Sequence, residues 1–581
     1  MTEPSFTSPP RRLPSDESRD HWELAFERLG RRRLFRLALV VLALLYGAAI
    51  YAPLIANDRP YVLEAIDHGA YDRARRGIYS VALELKGLVE GGEEGYLEGR
   101  TAGSRQSYAE ALSAERQAMA GRLATMRRYL PREHRPALDA LDEETARVSE
   151  LAIEGRGAEA GAAANELRPR ARELRDALKA RRAGDDAGVS LRAATSYPLP
   201  ESLSAPEVFF LVLWAFLLSW PLWNPVVNRI LLGGSRARIR GWRRRKAALV
   251  IGLSLACAVA WKLTVDGETT FHTAPFKEGL TSGEIEPVRA VFPPLAIGFA
   301  ETHLAEEFRP PTWTAAAQIT EEGYYESGAR APAPDPVTGF VPGPQPVRVR
   351  FGEPARNAAT RHVFGTDSLG RDLFVRVLYG ARVSLSVGLV STVILVVIGT
   401  FFGCLAGYFG GRVDLLISRL IEVVICFPVF FLILVVVAFV GPSILNIMVV
   451  IGLLRWTGVA RLARAEFLRL KELDFVVAAR ALGLPTRRTI FRHMLPNALG
   501  PLLVAASFSV AAGILIESEL SFLGFGIQAP VPSWGSLVTE SGNAANWWIQ
   551  VFPGALIFVT VLCYNLVGDA VRDALDPRTG S

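Results

Sequence analysis

Apolar residues in this chain are gathered into long runs that almost exclude charge, and no other feature constrains the fold as much. A helix rises about 1.5 Å per residue, so about 20 apolar residues cross the ~30 Å hydrocarbon layer of a bilayer. Eight runs have that character, at 34–55, 208–227, 247–265, 383–408, 415–440, 443–459, 499–520 and 549–570. Averaged over all 581 residues, 50% hydrophobic and 21% charged would suit a soluble enzyme; the clustering excludes one. It also excludes a disordered tail protein. Cys257, Cys404, Cys426 and Cys563 each fall in an apolar run and read as small hydrophobes, not as a disulfide framework or zinc cluster. The charge balance, 64 − 58 = +6, is carried by basic residues beside the runs, which points to membrane topology and away from nucleic acid.

Arg28, Arg31, Arg32, Arg33 and Arg36 stand at the entry to the first run. That run is longer than a signal-peptide core and follows a polar leader, so it reads as an uncleaved anchor. The loop after the second run carries Arg229, Arg236, Arg238, Arg240, Arg243, Arg244, Arg245 and Lys246 with no acid. The loop after the sixth carries Arg461, Arg464, Arg469, Lys471, Arg480, Arg487, Arg488 and Arg492 against three acids. Positive charge marks the cytoplasmic side, and one threading of eight spans satisfies both loops with the N- and C-termini cytoplasmic. The division that follows is a polar tail at 1–33 expected to be disordered, a first span at 34–55, and an outer segment at 56–207. Two spans then occupy 208–265, a second outer segment 266–361, and five further spans 362–578. Helical spacing at Leu123, Met126, Leu130 and at Leu167, Leu174, Leu178, broken at Gly91-Gly92, Pro131 and Gly184, predicts a helical bundle for 56–207. Pro332, Pro334, Pro336, Pro342, Pro344 and Pro346 make 266–361 extended and loop-rich.

Between the sixth and seventh runs the sequence reads Asp474-Phe-Val-Val-Ala-Ala-Arg-Ala-Leu-Gly483-Leu-Pro485, continuing to His493, Met494, Leu495, Pro496 and Asn497. It predicts a short helix with Ala478 and Ala479 on a small-residue face, a reversal at Gly483, and a second short helix that opens on Pro485 and stops before Pro496. Such a pair makes a compact knob. A loop resting on lipid head groups would keep large apolar residues along one face, and the alanines argue against that.

This pattern resembles the coupling loop of permease subunits in bacterial ABC-type importers. Four further stretches resemble the dipeptide/oligopeptide/nickel group of that family. They are Gly365-Thr366-Asp367-Ser368-Leu369-Gly370-Arg371-Asp372 running on to Tyr379-Gly380-Ala381-Arg382-Val383-Ser384-Leu385, and Gly407-Tyr408-Phe409-Gly410-Gly411-Arg412-Val413-Asp414. The others are Leu520 to Gly526 with Pro532-Ser533-Trp534-Gly535, and Asn565 to Asp569 with Arg572 to Pro577. The resemblance implies an all-α polytopic protein with a type I ABC-importer permease core at 362–578 and a coupling loop at 460–498. Ala478, Ala479, Gly483, Pro485, His493, Leu495 and Pro496 then become ATPase-coupling residues. It also implies a second permease subunit, two ATPase subunits or domains, a periplasmic substrate-binding protein, a place in the bacterial inner membrane, and peptides or a related small solute as cargo. The chain has no Gly-x-x-x-x-Gly-Lys-Ser/Thr loop, so ATP and Mg would belong to the partner ATPase; no cofactor or metal is expected here, and the chain is not expected to be an enzyme. Two departures stand out. Val477 occupies the position where the family usually has glutamate, and the chain before 360 is far longer than usual. Residues 55–60 are similar to the post-span sequence of peptide permeases linked to microcin uptake, which suggests that the bundle and spans two and three are inserted behind an ancestral first span.

Several single residues carry expectations of their own. Glu517 and Glu519, at the outer end of span seven, are candidates to line the path. Arg419 and Glu422 read as a self-neutralising pair, Pro428 as a kink, and Gly399, Gly403 and Gly407 as a face for close helix approach. An outer-surface amphipathic helix, capped by Thr366 or Asp367, is expected before Gly380. The alternative function is a sensor or receptor whose periplasmic bundle binds a ligand or envelope partner; no signalling module follows Lys246. A membrane enzyme finds no His-Glu-x-x-His and no nucleophile elbow.

Overall fold

The computed structural model describes residues 28–97, 105–181, 188–230, 236–265, 283–304, 307–311, 362–542 and 544–575. Residues 1–27 of the tail expected to be disordered and most of the Pro-rich 266–361 segment lie outside these residues; the last part of that tail, 28–31, is instead helical, with Leu29 buried against Ala570 and Ala574 of the C-terminal helix. The first span, α1 (Arg33–Ile55), buries Ala38, Leu42, Ala49 and Ala52 and turns Leu34, Leu37, Val40 and Leu44 outward. Beyond it β1 (Val62–Asp67) leads into α2 (His68–Leu97), α3 (Arg105–Tyr129), α4 (Arg135–Ile153) and α5 (Gly157–Ala177). These four helices close over a core that includes Tyr71, Ile78, Leu85, Leu112, Leu123 and Leu141. Gly92, at φ 62°, bends α2, and Pro131 separates α3 from α4. A further break, unforeseen from the sequence, falls at Gly155, whose φ of 78° ends α4 in the left-handed region that glycine tolerates.

Among the described residues, one small sheet interrupts the all-α pattern. β2 (Ala194–Ser196) and β3 (Ile285–Val291) flank β1 in the order β2-β1-β3, both antiparallel, with Leu63 opposite Ser196 on one side and Ala290 on the other. Segments 56–207 and 266–361, separate in the sequence, are thereby joined beside the bundle.

Among the described residues, six helices are long and apolar enough to cross a membrane, and two bent pairs raise the number to eight if each pair is one span. The first pair is α6 (Ala205–Leu218) with α7 (Trp220–Ile230), bent by 67°, and α8 (Arg236–Thr264) returns beside it. The permease half comprises α9 (Leu373–Phe409), the second bent pair α10 (Gly411–Ile425) and α11 (Val429–Val440) at 78°, and α12 (Ile444–Lys471). It continues with α13 (Asp474–Ala481), α14 (Leu495–Phe522), α15 (Trp534–Thr539) and α16 (Trp547–Leu575). Pro428 sits at the break of the second pair, directly before α11, where its ring suits a helix start.

The expected outer-surface helix before Gly380 is not a separate element. Its residues are the first turns of α9, whose 37 residues would span about 55 Å at ~1.5 Å each and so project beyond the bilayer. The cap is Asp372, whose carboxylate accepts from the Val375 N–H; Thr366 and Asp367 are instead fully buried. The glycine face of α9 packs within this chain. Cβ atoms added at Gly399, Gly403 and Gly407 would stand 2.5–2.8 Å from backbone carbonyls of α12, at Trp456, Ala460 and Arg464. The cysteines are all free. Cys404 and Cys563 are buried and Cys257 partly so, whereas Cys426, at the α10–α11 break, is exposed.

Candidate functional site

The knob grows from the C-terminal end of α12. Leu473 precedes α13, Asp474 places a negative charge in its first turn where the helix dipole favours it, and Gly483 reverses the chain at φ 70°. Pro485 then opens a further helical segment. It does not stop before Pro496. Thr486–Arg488, a wide turn Thr489–Met494 and α14 form one continuous helix, in which the Leu495 N–H reaches back to the Ile490 carbonyl, one residue further than in an α-helix. Proline lacks the N–H that an α-helical turn requires, and the widened turn takes up the discrepancy without ending the helix. The Asn497 amide donates to the His493 carbonyl at 2.6 Å within the same turn. Movement of the knob is therefore movement of span seven.

One side of the knob is anchored. Val476, Ile490 and Met494 join Phe467 and Leu470 of α12 in a single apolar cluster, and Ala479 faces inward beside them. The Arg480 guanidinium lies over the Tyr408 ring at 5.0 Å, tying α13 to the end of α9. Asp414, in the first turn of α10, takes a two-pronged ion pair from Arg464 of α12, with Arg464 Nη2 to Asp414 Oδ2 at 2.7 Å. The opposite side of the knob is open. Ala478, Pro485 and Gly483 are exposed, His493, Leu495 and Pro496 are half-buried, and Phe475, Val477, Leu482 and Phe491 project outward. Leu482 is 80% and Phe491 64% exposed. The alanine argument made from sequence thus fails: the free surface carries large apolar side chains, rimmed by exposed Arg487, Arg488 and Arg492. An apolar patch with a polar rim marks a binding surface. The 3,4 spacing of Phe475, Ala478 and Leu482 would have revealed it.

At the other end of the spans, Arg376 is 1% exposed and donates to both Asp367 and Glu540, while Arg371 Nε reaches Asp367 at 2.8 Å and Arg371 Nη2 reaches Glu540 at 3.0 Å. This network binds the 362–372 segment and α9 to the end of α15. His362 Nδ1 lies 2.8 Å from Asp372, the capping carboxylate. The two candidate path acids part company here. Glu517 is fully buried and accepts from Ser384 Oγ at 2.9 Å and Ser521 Oγ at 2.7 Å, while Ser384 Oγ in turn accepts from the Trp534 N–H. Its carboxylate joins α14 to α9 and α15. Glu519 instead borders an open cleft of about 500 Å³ walled by Phe430, Leu515, Phe522, Leu523 and Ile557. Arg419 Nη1 meets Glu422 at 2.6 Å, an exposed pair on one helix face. Among the described residues, no group of three or more His, Cys, Asp and Glu is placed to hold a metal.

Residues 399–581 match the family model of the binding-protein-dependent transport system inner membrane component, and residues 21–74 match that of the N-terminal TM domain of oligopeptide transport permease C. An oligopeptide transport system permease protein of Haemophilus influenzae is 43% identical over 219 residues, covering 37% of this chain and 70% of that protein. Its counterpart in Escherichia coli K12 is 46% identical over 219 residues, covering 37% and 72%. A dipeptide transport system permease protein of Bacillus subtilis is 40% identical over 220 residues, covering 37% and 69%. The apolar helices and these matches define a multi-pass membrane transport subunit, not an enzyme. The chain belongs to the family of binding-protein-dependent transport system inner membrane components. The match at 21–74 assigns α1 to the permease, and residues 75–398, which contain the bundle and α6 to α8, fall outside both family models.

Proposed function

We propose that the chain is one of two permease subunits in an ATP-driven inner-membrane importer of peptides. It holds its N- and C-termini in the cytoplasm and couples through residues 474–497 to separate ATPase subunits that carry ATP and Mg. A periplasmic binding protein delivers the cargo. The observation that carries this reading is the knob: one face locked to α12 and continuous with α14, the other an exposed apolar patch. A groove closing on Phe475, Val477, Leu482 and Phe491 would shift spans six and seven together, which is what alternating exposure of a path requires. Val477 takes the place of a polar anchor with an apolar one, consistent with a partner groove that is itself apolar at that point. Glu519, on the cleft, is the acid we assign to the path. The sensor alternative gains no support from the relatives, which match the permease.

Two measurements test the reading. Replacing Leu482 and Phe491 together by Asp should reduce uptake of a radiolabelled oligopeptide by more than about tenfold, since each loses an apolar anchor worth about 1.5–3 kcal/mol, with membrane insertion unchanged. A cysteine in place of Arg487 should react with a membrane-impermeant maleimide in inverted vesicles and not in intact spheroplasts. Normal uptake in the first case, or labelling from outside in the second, overturns it.

A further inference from the structure

From Glu207 to Asp266 the chain contains no acid, yet Arg229, Arg236, Arg238, Arg240, Arg243, Arg244, Arg245, Lys246 and Lys262 fall between them. Of those whose side chains are described, Arg229, Arg245 and Lys246 stand at one end of the helices α7 and α8 and Lys262 at the other. α6 and α8 run side by side, with the Trp261 indole N–H donating to the Leu203 carbonyl at one end (2.9 Å). At the other end Lys246, 6% exposed, donates to the side-chain carbonyls of Asn224 (2.9 Å) and Asn228 on α7. Between those two levels α8 rises 15 residues, about 22 Å at ~1.5 Å per residue. The 67° bend that begins α7 falls at the Lys246 end of this helix pair. There α7 directs Asn224 and Asn228 to Lys246 and presents Leu222, Val226 and Ile230, at 74%, 51% and 75% exposure, in a single row. Trp242 is exposed in the same corner, with the Arg245 guanidinium 5.5 Å from its ring.

We infer that the α7–α8 corner is a binding site for the head groups of anionic phospholipids. A helix laid along the surface with an apolar row, an exposed tryptophan and clustered cations is the geometry by which proteins hold negatively charged lipid. Topology alone asks only for positive charge near a span; it does not ask for a surface helix pinned by a buried lysine. α8 packs on α6 and α7 leaves the bundle, so no other described element supplies an acid to Arg229 or Arg245, both exposed. Lipid phosphate supplies the counter-charge that fits this corner, and the apolar row of α7 selects lipid over a free anion.

The test uses the purified full-length chain in neutral detergent and native mass spectrometry, with phosphatidylglycerol or phosphatidylcholine as the titrant. Phosphatidylglycerol should bind at least tenfold more tightly, and its occupancy should fall as salt rises while that of phosphatidylcholine does not. R229Q/R245Q should lose about tenfold or more of the phosphatidylglycerol affinity. K262Q, at the far end of the same helix, should lose none. Equal binding of the two lipids, salt-independent occupancy, or displacement by millimolar inorganic phosphate overturns the inference. So does unchanged binding by R229Q/R245Q; should that variant fail to fold, the lipid preference and its salt dependence in the unaltered chain decide alone.

Discussion

Single residues show how burial, more than residue type, assigns roles. Glu517 and Glu519 stand two apart on α14, yet one is enclosed by serine hydroxyls and the other borders a cleft. Helical geometry separates such neighbours by about 200°, so the two acids face different surroundings. In the bundle, Glu115 of α3 is held above its ordinary value of 4.5, first by partial burial and then by the Glu84 carboxylate of α2, with Arg122 opposing. A raised carboxyl favours the folded state in its protonated form. Its contribution is fully present below the unfolded value and is lost as pH rises through the folded one. The melting temperature of the bundle should therefore fall between pH 4.5 and neutrality by more in the natural chain than in E115Q. E115Q should be the more stable of the two at pH 7, as thermal unfolding followed by circular dichroism would show. Equal slopes for the two proteins would refute the assignment.

At the scale of elements, the contact between α9 and α12 is decided by three glycines. The i, i+4, i+8 spacing of Gly399, Gly403 and Gly407 announces a close approach in the sequence but not the partner. Only the fold reveals that α12 fills it, with Ala460 and Ala463 facing Gly403. A methyl group at Gly403 would lie 2.5 Å from the Ala460 carbonyl oxygen, a separation that real Cβ atoms do not reach. Gly403→Ala should cost about 1–3 kcal/mol, as overpacking does, and lower the melting temperature in detergent. Gly458→Ala, where an added Cβ meets nothing within 4 Å, should leave it unchanged. The knob teaches a related lesson. In the sequence Pro496 predicts a stop because proline cannot continue an α-helix, but a single wide turn absorbs it, and the second half of the knob becomes continuous with span seven as a result.

Over the whole molecule, the inserted region is fastened to the permease at two levels. The β2-β1-β3 sheet joins segments 56–207 and 266–361 directly after α1. Nearer the membrane, Arg382 of α9 pairs with Glu207 of α6 at 2.5 Å, the same glutamate that accepts from the Ser204 N–H at the start of α6. Tyr51 of α1 donates to the Leu211 carbonyl beside it (3.2 Å). Glu207→Gln should weaken both the pair and the cap, so hydrogen exchange in the first turns of α6 should become several-fold faster. Exchange in α12, remote from the contact, should not change. Unaltered exchange in α6 would mean that the pair does not hold the insertion to the core.

The membrane character, the helical build of the segment after the first span and the family were already present in the order of residues. Each depends on composition or spacing over a short stretch, and a bilayer enforces that local pattern strongly. What faced what was not available there. The strand joining residues 62–67 to 285–291, the burial of Glu517, the neighbour of the α9 glycines and the outward turn of Phe475 and Leu482 all depend on residues distant in the chain meeting in space. Periodicity can say that a helix has two faces, but which of them is covered is settled only when its neighbours have packed.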